Sequence, residues 1–227
     1  MLSAIITGAG SGLGKELALQ FSTKGYHIIL LGRNEAKLQY VKDKIEAKGG
    51  LASHFQLDIS DSIQITEVLT IVSKQFKPII LVNNAGIGHF GPFDAITETE
   101  ITAMINTNIL GSILMTKATL PLLLDQEQSH IIQVISTAGL RGKANEAVYC
   151  ASKFALRGFT ESLQKELAKT STAVTAVYMG GMDTPFWEES HHVKDKSRFR
   201  HPKEVAQLIV EQYKNKNEII IESKTTR

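Results

Sequence analysis

A single cysteine, Cys150, among 227 residues rules out an intramolecular disulfide and agrees with a reducing compartment. Charge of one sign is scarce as well: 25 basic against 23 acidic residues leave a formal +2, and the basic residues are dispersed. The concentrated patch that nucleic acid or an anionic membrane requires is missing. The densest basic run, Lys194, Lys196, Arg198 and Arg200, is diluted by Asp195, Glu188 and Glu189 and reads as a solvated loop. No apolar run approaches the roughly 20 residues that span a membrane, and the amino terminus enters an apolar stretch too soon for a signal peptide. These readings predict a cytoplasmic protein without nucleic-acid or membrane partners. No Cys-x-x-Cys or His-Glu-x-x-His occurs, and His191 and His192 lack partners at metal-ligand spacing, so no catalytic metal is expected. Repeats, low-complexity tracts and linkers are also lacking. The length is too short for a cofactor domain plus an independent substrate domain, which predicts one domain over 1–227.

What the chain does contain is a regular alternation. Apolar runs at 2–7, 27–32, 51–58, 78–83, 130–136, 172–179 and 218–222 are separated by helical stretches, which argues an α/β fold with a parallel, doubly wound sheet. The helix after the fourth strand opens with Thr97 and Glu100 at capping-box spacing and runs to about Leu123, with Pro121 bending or ending it. The first strand meets Gly8, Gly10, Gly12 and Gly14, then a helix through Phe21. Glycines there let a backbone approach a pyrophosphate, whose charge is met by free N–H groups and the positive helix end. A flexible strand-to-helix turn would look alike in sequence. After the second strand, the place of the usual ribose-binding carboxylate holds Gly32, Arg33 and Asn34. A guanidinium pairs with a 2′-phosphate as a planar fork, which favours NADP(H) over NAD(H), unless Arg33 is simply a solvated residue opening the next helix. No second basic residue lies in the glycine turn, where Ser11 stands.

Tyr149 and Lys153 lie one turn apart on a segment of helical period, hence on one face. A phenol ordinarily holds its proton to about pH 10, and a neighbouring ammonium is expected to lower that value. Ser136 is read as the end of the fifth strand, at the carboxyl edge where open parallel sheets place ligands, with its hydroxyl available to a substrate carbonyl. Cys150 points about 100° away from Tyr149 around the helix and reads as a packing thiol.

Thr7-Gly-x-x-x-Gly-x-Gly14, Asn83-Asn-Ala-Gly86, Asn108, Ser136 and Tyr149-x-x-x-Lys153 together resemble the short-chain dehydrogenase/reductase family, over nearly the whole chain. The resemblance implies a Rossmann-type sheet of order 3-2-1-4-5-6-7 and hydride transfer between a nicotinamide cofactor and a carbonyl or secondary alcohol. It makes Tyr149 the general acid or base, Ser136 the group that orients the carbonyl, and Lys153 a holder of the nicotinamide ribose. Asn108 would keep a water in a proton relay to Lys153, unless it only bonds a neighbouring carbonyl; Asn106, two residues away, competes for the assignment. Thr7, Gly8, Gly10, Ser11, Gly12, Leu13 and Gly14 match the phosphate turn. Asp58, closing the third strand, matches the adenine contact; Asn84, Ala85 and Gly86 border the cofactor, with Asn84 mainly stabilising the central sheet. Thr184 resembles the threonine at the nicotinamide carboxamide, though Met179 stands where relatives have proline, which loosens that loop. The resemblance further implies a homodimer or homotetramer through the long helix and the Tyr149 helix.

Residues 183–201, with Phe186 and Trp187, read either as a substrate lid or as a loop packed on the body. His89, in the loop after the fourth strand, either reaches substrate or is an exposed loop histidine, and Arg141 and Asn145 lie between Ser136 and Tyr149 in a loop that the resemblance sets beside substrate, without an assigned role. The leading expectation is an NADP(H)-dependent carbonyl reductase acting on a small molecule. The alternatives are an NADP(H) sensor or scaffold without turnover, and a sugar-nucleotide epimerase, whose longer carboxyl-terminal region this chain lacks.

Overall fold

The computed structural model describes residues 1–187, 192–193 and 195–224. Seven strands, β1 (Leu2–Thr7), β2 (His27–Gly32), β3 (Ala52–Gln56), β4 (Lys77–Asn83), β5 (Ser129–Val134), β6 (Thr172–Met179) and β7 (Glu218–Ile221), form one sheet in the order 3-2-1-4-5-6-7. Each adjacent pair is parallel. The order reverses between β1 and β4, and the crevice at that switch point is where such sheets take their ligands. The central strands are apolar on both faces because helices cover both, so Ile5, Ile29 and Leu81 face one core while Ile6, Leu30 and Val82 face the other.

One core carries α1 (Gly12–Ser22), α2 (Glu35–Glu46) and α7 (Pro202–Gln212); the other carries α3 (Ser62–Gln75), α5 (Ser112–Leu124) and α6 (Ala147–Glu166). Local chemistry sets several starts. Asn34 and Asp61 cap α2 and α3 through their side chains, and Pro202 opens α7 behind His201. The expected capping box is present: Thr97 accepts from the Glu100 amide, and Glu100 accepts from the Thr97 amide.

Three sequence-derived boundaries are corrected. β3 ends at Gln56, so Asp58 lies beyond it, where its carboxylate accepts from the Ser60 amide and hydroxyl. β5 ends at Val134, two residues before Ser136. The long helix is not uniform: α4 (Glu98–Met104) passes through a wide π turn, Ile105–Gly111, before α5, and Pro121 sits inside α5 without ending it. This helical run, Glu98–Leu124, is also long and apolar enough by composition to cross a membrane, with a mean hydropathy of 1.3 over an 18-residue window. In the fold only its inner side is buried, with Met115 and Leu123 in the core that covers the sheet and Met104 beside Tyr149 and Ala138.

Candidate active site

The glycine turn rests on two left-handed positions and one close approach. Gly8 and Gly12 have φ of 64° and 52°, a left-handed backbone that favours glycine. A Cβ on Gly14 would lie 2.3 Å from the Gly8 carbonyl oxygen and 2.5 Å from Asn84 Nδ2. The Thr7 hydroxyl donates to Val82 O and accepts from the amides of Asn84 and Ala85, while Asn84 Nδ2 donates to Thr7 O and Gly8 O. Asn84 thus fastens the β4 loop to the glycine turn. Asn83 adds a second tie, donating to Gln133 in β5 and to Thr116 in α5.

Ser11 precedes α1 without capping it through its side chain, and the first turn holds no acid. Those helix amides and the positive end of the macrodipole therefore remain available to an anion. Thr184 packs against Gly12, its Cβ 3.4 Å from where a Gly12 Cβ would stand, which places the loop after β6 over the turn. The residues present fit a dinucleotide's pyrophosphate.

Arg33 is exposed at the end of β2 and lines an open pocket of about 540 Å³ with Gln56, Asp58 and Gln64. Gln56 donates to the Arg33 carbonyl. Sequence reading passed over Lys37, which stands beside the glycine turn. Lys37, one turn into α2, packs its Cβ 3.0 Å from the position of a Gly10 Cβ.

Asn108 lies in the π turn, fully buried. Its Oδ1 accepts from the Ile87 amide at 2.8 Å, and its Nδ2 donates to Ile87 O at 2.9 Å and Ser152 Oγ at 3.0 Å. It does bond a neighbouring carbonyl. It also stands beside Lys153: a Gly86 Cβ would lie 3.3 Å from Asn108 Oδ1 and 3.4 Å from Lys153 Nζ. A side chain at Gly86 would enter the space these two groups share.

Tyr149 and Lys153 are both buried on the same face of α6, with Lys153 Nζ 5.6 Å from the Tyr149 ring. Ser136 adopts φ 123°, a strained backbone for serine, and its hydroxyl accepts from the Ala138 amide. The expectation that Lys153 lowers the Tyr149 pKa is corrected. Burial pushes the phenol well above its usual range, the Glu146 and Cys150 charges add to that, and a hydrogen bond with Ser136 opposes it. Burial also brings the Lys153 ammonium down to about 8. Desolvation outweighs mutual attraction because the same dry wall acts on both charged forms.

A ring cluster closes over Tyr149. Phe90 meets Tyr149 edge-on at 5.3 Å, Trp187 stacks on Phe90 at 5.1 Å, and Phe186 lies 5.9 Å from both Phe90 and Tyr149. His89 pairs with Glu100, Arg141 makes a two-pronged pair with Glu222, and Asn145 accepts from the Gly91 amide at φ 61°. Cys150 is buried. In the basic run, Arg198 and Arg200 tie down the carboxyl-terminal stretch through Lys224 O and Glu222 O. His191, Lys194, Glu188 and Glu189 lie outside the described residues.

A glycine turn at the switch point of a doubly wound parallel sheet, with a buried tyrosine and lysine beside it, defines a nicotinamide-dinucleotide oxidoreductase. Residues 3–195 match the short chain dehydrogenase family, and the chain belongs to that family. It is 30% identical to a sepiapterin reductase of Chlorobaculum tepidum, over 96% of this chain and 92% of that one. A metagenomic short-chain oxidoreductase in complex with NADP superposes with a TM-score of 0.84 at 27% identity, covering 99% of this chain and 98% of that one. A Burkholderia phymatum short-chain dehydrogenase/reductase in complex with NAD shares the fold, with a TM-score of 0.89 at 24% identity over 97% of this chain and 88% of that one.

Proposed function

We propose that residues 1–227 form one catalytic unit, an NADP(H)-dependent carbonyl reductase in which Tyr149 protonates the carbonyl oxygen of a small ketone or aldehyde. The observation that carries this is the grouping of Asn108 and Lys153 around Gly86 in the loop after β4, with Lys153 over the Tyr149 ring and Ser136 beside the phenol. When bound, the nicotinamide supplies hydride to the carbonyl carbon. Ser136 holds the carbonyl oxygen beside the phenol, and the alkoxide takes the phenolic proton. Lys153 stabilises the phenolate that results, and Asn108 positions the Ile87 backbone and the lysine wall, ahead of reprotonation from solvent. Of the expected lid, residues 183–201, the described Phe186 and Trp187 cover the Phe90 and Tyr149 rings and exclude water; residues 188–191 and 194 lie outside the described residues.

Cofactor contacts come from Thr7, Gly8, Gly10, Ser11, Gly12, Leu13, Gly14, Asn84, Ala85 and Gly86, with Thr184 above. Arg33 and Lys37 read the 2′-phosphate in place of a ribose-binding carboxylate. Support comes from the NADP-bound relative at 27% identity. The Arg33→Ala variant is expected to raise the KM for NADPH by about tenfold to a hundredfold, the size of one charge-assisted contact, with the KM for NADH nearly unchanged. Steady-state kinetics with both cofactors decides it; equal effects on the two would remove Arg33 as the selector.

The pH dependence follows from Lys153. Its ammonium is present below about 8 and lost above it, whereas Tyr149 keeps its proton throughout that range. The kcat/KM for NADPH, which reports the free enzyme, is therefore expected to be flat below pH 8 and to fall with rising pH beyond it. A profile flat to pH 10 would contradict the assignment.

The outer side of the long helix and of α6 exposes Leu110, Leu124 and Phe154, and this apolar face suits a homodimer or homotetramer. Sedimentation tests that. The unpaired Cys150 thiol supports a cytoplasmic setting. The test of the whole reading is NADPH oxidation, with NADH alongside, across ketones, aldehydes, diketones and 3-oxoacyl thioesters. Cofactor binding without turnover on any of them would favour the sensor reading.

A further inference from the structure

Glu146 sits immediately before α6, three residues ahead of Tyr149, and is only 7% exposed. At that place a side chain ordinarily caps the helix, yet this one makes no capping bond. Its Oε1 lies 3.1 Å from His192 Nε2. Lys143 Nζ approaches Oε2 to 3.7 Å, beyond hydrogen-bond reach, and Oε2 is buried with no hydrogen-bond partner among the described residues. Burying a carboxyl with an unsatisfied oxygen is costly, so its retention beside the reacting tyrosine calls for a use.

The arrangement around it supplies one. The imidazole of His192 lies nearly parallel to Phe90, with centroids 5.1 Å apart and 15° between planes, while its Nε2 meets the Glu146 carboxyl. Phe90 in turn touches the Tyr149 ring. A flat nitrogen heterocycle is thus held at two points, by its face and by a ring nitrogen, next to the proposed acid. We propose that Phe90 and Glu146 form a substrate-reading subsite for planar nitrogen-heteroaromatic carbonyl compounds that carry a ring N–H. The substrate ring stacks on Phe90 where the His192 imidazole now lies, its N–H donates to Glu146, and its carbonyl faces Tyr149. Oε2 accepts a second donor where the substrate has one. Entry requires the His192 ring to leave its place on Phe90. This inference rests on the carbonyl-reductase reading for the direction of the carbonyl, but the binding contacts stand apart from turnover.

The test uses isatin, a planar ketone with a ring N–H, against N-methylisatin, which lacks that donor. NADPH reduces the ketone to the alcohol by one hydride, with one proton from solvent through Tyr149. Trp187, the one tryptophan of the chain, stacks on Phe90, so its absorbance-corrected fluorescence reports occupancy independently of turnover. Isatin is expected to bind at least about tenfold more tightly than N-methylisatin, in Kd and in KM, as one hydrogen bond to a charged acceptor predicts. In Glu146→Met, which fills similar volume without an acceptor, that ratio collapses to within about threefold. A wild-type ratio within about twofold, an unchanged ratio in the variant, or no binding of either compound would overturn the proposal. Failure of the reductase reading has a different signature: no NADPH oxidation with 9,10-phenanthrenequinone or either isatin, while the fluorescence ratio persists.

Discussion

Tyr149→Phe is expected to lower kcat by about 10²- to 10⁴-fold, the usual worth of a positioned general acid, while the Kd for NADPH stays within about twofold. The substitution removes one oxygen and leaves the ring, so the contacts with Phe90 and Phe186 persist. The lost hydroxyl bond with Ser136 costs stability of only about 1 kcal/mol. An effect of that size on the fold together with several decades on turnover separates a chemical role from a structural one. Because burial holds the phenol proton tightly, the wild type presents an acid that is fully protonated at neutral pH. It is a weak acid until the carbonyl oxygen gains charge, so its contribution concentrates in the transition state. Titration calorimetry with NADPH and single-turnover kinetics check both halves. A variant that retained more than a tenth of wild-type kcat would end the general-acid assignment.

Strand number was legible because both-face burial writes continuous apolar runs and turn residues punctuate them, whereas the strand order came from the family resemblance. The glycine turn was legible for the same kind of reason: Gly8, Gly12 and Gly14 answer backbone demands that no other residue meets. What escaped the sequence depends on contacts between distant segments. A π turn at Ile105–Gly111 shifts the apolar phase by a single residue, too little to separate from an α-helix by period, yet it is where Asn108 turns its amide onto Ile87. Ser136 belongs to no strand because its φ of 123° is imposed by the turn that follows, which no propensity encodes. The pairing of Glu146 with His192 spans 46 residues. The Tyr149 shift was misjudged in sign because the sequence shows the neighbouring lysine and hides the desolvation of both groups.

Gly14→Ala carries the largest expected structural effect. The added methyl would stand 2.3 Å from the Gly8 carbonyl oxygen and 2.9 Å from its carbon, both backbone atoms, and 2.5 Å from Asn84 Nδ2. A flexible side-chain tip could swing aside, but Gly8 cannot. Its own position is fixed by φ of 64°, and Asn84 bonds the carbonyls of Thr7 and Gly8. Relief therefore requires α1 to lift from the end of β1, which opens the core around Leu13 and Leu17. Overpacking against an unyielding backbone costs about 3 kcal/mol or more, which for a chain of this size lowers Tm by roughly 6–12 °C. The same displacement takes the helix amides away from the phosphate position, so NADPH affinity is expected to fall by more than tenfold even in the fraction that stays folded. Thermal melts with and without NADPH measure both effects. Wild-type Tm with wild-type NADPH stabilisation would mean that β1 and α1 do not approach this closely, and the phosphate-turn reading would fall with that contact.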